Sequence, residues 1–103
     1  MARRVLILPS AERDLHRLYS YIRNHSGPEV AIGFVRRIRA YCEGFETFPE
    51  RGQRRDDLRP GLRLVGFERR VVIAFTITAE AVEVGRVIYG GRDVDALLGE
   101  DWG

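Results

Sequence analysis

Lysine is absent from the 103-residue chain, and all 17 basic side chains are arginine. Every cationic contact must therefore be made by a planar guanidinium, which grips carboxylate or phosphate bidentately and stacks on rings. Cysteine occurs once, as Cys42, so an internal disulfide is excluded. With one cysteine and two histidines, a four-ligand zinc site would have to recruit carboxylates, and no metal site or cofactor is expected. Long apolar runs are also missing. The early Val5-Leu6-Ile7-Leu8 stops at Pro9, too short for a signal-peptide core and far below the roughly 18 residues of a membrane span. A soluble, cytoplasmic protein without a membrane partner is the expectation.

What is present fits one domain over residues 1–103. Hydrophobic residues make up 45% of the chain, and a chain of this length buries roughly 65% of its unfolded surface, sufficient for one core. The net charge is only +2 but is unevenly placed. Residues 51–70 carry seven arginines against three acids, a net of +4, whereas residues 71–103 carry two against six, a net of −4. That asymmetry suggests a charged partner.

The hydrophobic pattern predicts a strand over Arg3 to Leu8, then a helix capped by Ser10 with Ala11, Leu15, Leu18, Tyr19 and Ile22 at helical spacing. Pro28 suits the first turn of a second helix, whose inward stripe is Ala31, Phe34, Val35, Ile38, Tyr41, Cys42, Phe45 and Phe48. Pro49 ends that helix and opens a polar loop to Gly61, long enough to be a candidate functional segment. The period then changes to two. Leu62 to Phe67, Arg70 to Thr78 and Ala81 to Tyr89 read as an antiparallel meander, with Val71, Ile73, Phe75 and Ile77 on the helix-covered face. Gly90-Gly91 breaks the last strand, and Asp93 caps a short helix ended by Gly99. The fold class is α+β: an N-terminal strand, an α-helical hairpin, a three-stranded antiparallel meander and a short C-terminal helix.

Few residues suggest catalysis. His16 and His25 lie beside the first helix's stripe and at its frayed end, positions that read as structural or solvent-facing. Asp56 and Asp57 are flanked by arginines, so local ion pairing accounts for them better than metal binding. Cys42, on the apolar helix face, reads as a small hydrophobe. The arginines carry more information: Arg51, Arg54, Arg55, Arg59, Arg63, Arg69 and Arg70 bracket the loop and first hairpin, and could converge on one anion-binding rim. Arg86 alternates with Val82, Val84 and Ile88, and a buried arginine there needs a carboxylate partner. Arg92 projects after the glycine pair, near Tyr89. No basic helix and no basic-aromatic alternation marks a sequence-specific nucleic-acid reader.

The segments, taken in order, resemble the RelE/ParE toxin superfamily, with motifs similar to its ParE branch. The matching pieces are Ala11-Glu12-Arg13-Asp14-Leu15 with Tyr21-Ile22, then Phe48-Pro49-Glu50-Arg51-Gly52, and the run from Arg55 to Arg63. Val72-Ile73-Ala74-Phe75 and Arg86-Val87-Ile88-Tyr89-Gly90-Gly91-Arg92-Asp93 complete them. The resemblance covers nearly the whole chain.

The resemblance implies the toxin of a type II toxin–antitoxin pair, in a hetero-oligomer with a ParD-like antitoxin. For ParE-type members it implies inhibition of DNA gyrase by binding, with no catalytic residue. The surface expected for the target comprises Arg59, Arg63, Arg69, Arg86, Tyr89, Arg92 and the C-terminal tail. Leu15, Leu18, Ile22, Phe34, Val35 and Ile38 are expected to shape the antitoxin groove. The alternatives are a ribosome-dependent messenger-RNA endoribonuclease of RelE type and an inactive relative that only binds antitoxin. In the nuclease, Arg63, Arg86 and Arg92 would clamp phosphate and Tyr89 would move the proton. The sequence departs from the RNA-cleaving pattern in having no lysine and no Tyr or His after Tyr89.

Overall fold

The computed structural model describes residues 3–99 and 101–103. Two prolines start the two long helices. Pro9 and Pro28 occupy first-turn positions, where the missing N–H costs nothing, of α1 (Pro9–Ser26) and α2 (Pro28–Glu43). Gly27, at φ 94°, makes the tight joint between them. The strands are β1 (Arg4–Ile7), β2 (Gln53–Arg54), β3 (Leu62–Phe67), β4 (Val71–Ile77) and β5 (Ala81–Tyr89), followed by α3 (Val94–Leu98). They form one sheet in the order β1-β5-β4-β3-β2. The α+β architecture, the N-terminal strand and the β3-β4-β5 meander match the sequence expectation, and the short strand β2 is added at one edge.

The pairing of both edge strands depends on distant residues. β1 runs parallel to β5, with Arg4 opposite Ala81 and Ile7 opposite Val84. Inside the polar loop, Gln53 and Arg54 pair with Leu64 and Arg63 as the short strand β2. The edge strand carries no apolar pattern because neither of its residues is buried.

Three local expectations change. Ser10 is not the cap of α1: Leu8 holds that position, and Ser10 is buried in the first turn, where its hydroxyl donates to Gly85 O at 2.6 Å. Phe48 lies outside the core, 65% exposed, because α2 ends at Glu43 and a 3-10 turn over Gly44–Glu46 redirects the chain. The far sheet face is not simply polar either. Leu62, Ala74, Ile88 and Leu98 form a second buried cluster there, with Trp102 packed against it.

The main core lies between the hairpin and the sheet. Ala11, Leu15, Leu18, Ile22, Ala31, Phe34, Ile38, Cys42 and Phe45 meet Val71, Ile73, Phe75, Val82, Val84 and Val87. Ile77 packs at its margin. Phe45 stacks on Phe75 with centroids 4.3 Å apart, a contact that adds about 1 kcal/mol to its area burial. The β3–β4 turn has positive φ at both Glu68 and Arg69, a conformation costly for side-chain-bearing residues. A bidentate pair from Arg37 on α2 to Glu68, at 2.8 and 3.0 Å, ties that turn to the hairpin.

Candidate functional site

The β5 edge organises the site. β1 covers it only as far as Val84, whose carbonyl accepts from Leu8 N at 2.8 Å. Beyond that point α1 lies alongside and substitutes side chains for a strand. The Ser10 hydroxyl takes Gly85 O, and the Asp14 carboxylate accepts from Val87 N at 2.8 Å. Ser10, Asp14, Arg17 and Tyr21 share one side of α1 because their spacings of four, three and four residues return to the same face.

Register changes on β5 as well. Ala74 faces Arg86 but Phe75 faces Val84, so Gly85 is an extra residue, a β-bulge. The bulge switches the phase of alternation. Val82 and Val84 point into the main core, as do Val87 and Tyr89, while Ile88 joins the opposite cluster. Arg86 therefore does not continue the Val82-Val84 face. Its guanidinium reaches Asp14 at 2.7 and 3.1 Å and donates to Leu97 O and Asp101 O. The carboxylate partner expected from sequence is thus Asp14, and Arg86, 4% exposed, is not part of any accessible target surface.

The other expected target residues do not share one rim. Arg63 is opposite Phe75, which is opposite Val84, so it lies about 15 Å down the sheet from Tyr89. It donates to Arg51 O at 3.3 Å and approaches Glu50 at 4.0 Å. Arg59 stacks over Trp102, 4.9 Å from the ring centre. Arg69 occupies the β3–β4 turn, at the end of the sheet where Tyr89 faces Val71. Arg92 follows Tyr89 past Gly90, whose φ of 77° satisfies the turn, and is exposed without an ion pair or hydrogen bond among the described residues. Of the C-terminal tail, Glu100 lies outside the described residues; Asp101 pairs with Arg13 at 2.7 Å, and Gly103 N donates to Ser10 Oγ.

Tyr89 and Arg92 border a cleft of about 470 Å³ between α1 and the end of β5, lined also by Asp14, Arg17, Leu18, Tyr21, Val87 and Gly90. Sequence reasoning alone does not single out Arg17, and it picks out Tyr21 only as part of the family resemblance. Their signal is present as an α1 stripe, but it acquires meaning only beside β5. The Tyr21 ring, 48% exposed, lies 5.4 Å from Tyr89 and 4.1 Å from His25.

The residues expected to shape the antitoxin groove are mostly interior. Leu15, Leu18, Ile22, Phe34 and Ile38 are each at most 8% exposed, and only Val35 is half-buried. They hold the hairpin on the sheet, and the surface they keep lines clefts: Leu18 the one beside β5, Ile22 and Phe34 a second between the hairpin and Tyr89, and Leu15 with Val35 a third between α1 and α2.

The remaining candidates behave as their patterns suggest. Asp56 and Asp57 pair locally with Arg54 at 3.1 Å and Arg55 at 2.9 Å. Hydrogen bonds from Gly61 N to Asp56 and from Arg55 to Asp57 hold both carboxyls below their ordinary range. Burial pushes the Cys42 thiol up to about 12, so it has no thiolate at neutral pH. His16 and His25 are exposed, and no cluster of three metal-ligating side chains occurs among the described residues. No helix among them is long and apolar enough to cross a membrane.

Comparison with known proteins agrees with this architecture. Residues 5–94 match the family described as ParE toxin of type II toxin-antitoxin system, parDE. Toxin ParE3 of Caulobacter vibrioides is 30% identical over 97 residues, an alignment spanning 94% of this chain and 96% of that protein. A solved chain of the chromosomal ParDE TA system from P. aeruginosa superposes with a TM-score of 0.75 at 21% identity, covering 86% of this chain and 97% of that one. The fold is shared with that structure, and with the family match spanning both the hairpin and the β5 edge, the chain belongs to the ParE toxin family of type II toxin–antitoxin systems.

Proposed function

We propose that this ParE-type toxin acts by binding, not by catalysis, that its target is DNA gyrase, and that a ParD-like antitoxin neutralises it in a hetero-oligomeric complex. The observation that carries the reading is the dispersal of the basic groups. RNA cleavage requires cations converging on one phosphate together with a group that moves the 2′-hydroxyl proton. Here Arg86 is consumed by Asp14, Arg63 lies far down the sheet, and Arg92 stands apart from both. No basic side chain is hydrogen-bonded to the Tyr89 hydroxyl among the described residues to take up such a proton. Such a surface supports recognition of another macromolecule through Arg92 and its neighbours. The antitoxin partner is supported by the solved P. aeruginosa chain, which shares this fold and comes from a ParDE toxin–antitoxin system.

The test is a supercoiling assay with purified gyrase, paired with primer extension on messenger RNA after induction. Loss of supercoiling with intact transcripts is expected. Codon-phased cleavage with gyrase unaffected would replace this reading with the nuclease.

A further inference from the structure

The stripe Ser10-Asp14-Arg17-Tyr21 treats the β5 edge unevenly. Ser10 saturates Gly85 O and Asp14 saturates Val87 N. Residues two apart on a strand direct their backbone groups to the same edge, so the Val87 carbonyl and the Tyr89 N–H face outward beside Asp14's contact. No hydrogen bond reaches either group from that side among the described residues. The next two stripe positions, Arg17 and Tyr21, supply no backbone partner. They instead line the 470 Å³ cleft into which this edge opens, with Leu18 and Val87 as its apolar lining and Arg92, just past the end of β5, also bordering it.

Arg17 and Arg92 make no ion pair among the described residues, although Asp101, held below its ordinary range chiefly by its hydrogen bond from Arg13, also feels the Arg17 charge. Two guanidiniums outside any ion pair therefore flank an unpaired strand edge and a pair of tyrosine rings. We propose that this cleft docks an extended acidic protein segment of the target, which pairs its backbone with Val87 and Tyr89 and places carboxylates on Arg17 and Arg92. This inference rests on the reading that the protein acts on a macromolecular target through Arg92. Strand addition explains why the edge is left open. Charge complementarity gives the sign of the partner, since each guanidinium can bind a carboxylate bidentately. A nucleic-acid strand fits less well. The cleft lining is largely apolar, its open polar groups are peptide N–H and C=O, and the Asp14 carboxylate borders it.

The experiment uses the full-length toxin, its Arg17→Glu, Arg92→Glu and Arg36→Glu variants, purified gyrase, and a fluorescein-labelled peptide of alternating Glu and Val. Arg36 is exposed on α2, outside the cleft, and serves as the charge control. Saturable peptide binding is expected, weakened about tenfold or more by either cleft substitution and within about twofold of wild type for Arg36→Glu. A Gln-Val peptide should bind poorly. Gyrase inhibition should fall with the cleft variants while antitoxin affinity and melting temperature hold. Peptide binding that is absent, or equally weakened by Arg36→Glu, overturns the proposal. So does antitoxin affinity falling in parallel, which would assign the cleft to the antitoxin, or stronger capture of single-stranded RNA at the same residues. A dimer in light scattering that dissociates on Arg17→Glu would assign it to a second copy and also overturn the proposal. If wild-type toxin leaves gyrase untouched, the gyrase reading fails by itself. The dock then stands or falls on the peptide: charge-dependent, cleft-specific binding supports it, and its absence removes it.

Discussion

Asp14 and Arg86 are 72 residues apart in sequence and meet in a bidentate ion pair whose side chains are each 5% exposed. Each also serves backbone groups: Asp14 accepts from Val87 N, and Arg86 donates to Leu97 O and Asp101 O. The pair thus joins α1, β5, α3 and the tail through one charge-neutral unit, and every buried side-chain polar atom among the described residues is partnered. A buried ion pair adds little net stability over an apolar replacement, but losing one member leaves an uncompensated charge.

Asp14→Ala should accordingly cost about 3–5 kcal/mol, because the Arg86 charge and the Val87 N–H both lose their acceptor. The double variant Asp14→Leu with Arg86→Met should recover only part of that loss, since Val87 N, Leu97 O and Asp101 O remain without their side-chain partners. Urea denaturation of the three proteins measures both effects.

Arg92→Ala should abolish or strongly reduce toxicity while melting temperature and antitoxin binding stay near wild type. Arg92 is exposed and holds nothing in place among the described residues. Ile38→Ala gives the contrasting result. At 0% exposure it opens a core cavity, costs about 2–5 kcal/mol and lowers toxicity and antitoxin binding together. A large stability loss in Arg92→Ala would instead place it among the structural residues.

Gly85 allows Trp102 to lie directly on the β5 bulge. A Cβ at that position would come within 2.5 Å of three ring atoms. Gly85→Ala should push Trp102 off the strand, at a cost of about 1–3 kcal/mol. Trp102 is the only tryptophan, so its displacement is readable as a red shift in intrinsic fluorescence.

Cys42 should resist alkylation in the folded protein and react on unfolding. Burial raises its folded pKa to about 12 from the ordinary 9.0, so the stability it contributes is fully present below about pH 9. As pH climbs from there toward 12, the unfolded chain releases the thiol proton first and stability is lost. Iodoacetamide labelling at pH 8 with and without urea tests the first statement. Melts of wild type against Cys42→Ala between pH 8 and 10.5 test the second: the wild-type midpoint should fall more steeply.

The helix start at Pro28, the period-two runs of β3, β4 and β5, the Asp93 cap on Ala96 N and the inward face of β4 were legible in the sequence. These features are local: a residue's own backbone limits and its spacing from near neighbours determine them. Even the need of Arg86 for a carboxylate could be read in this way. Which carboxylate could not, because 15 acids occur in the chain and only the docking of α1 along β5 selects Asp14. Tertiary structure likewise decided that two residues of a polar loop become β2, that a bulge at Gly85 turns Arg86 away from the Val82-Val84 face, and that the arginines of the middle segment spread along the sheet. The candidate cleft falls in this second class. Arg17 and Tyr21 are ordinary helix residues until the β5 edge beside them is left open, and strand pairing between distant segments leaves no periodicity in the sequence to announce it.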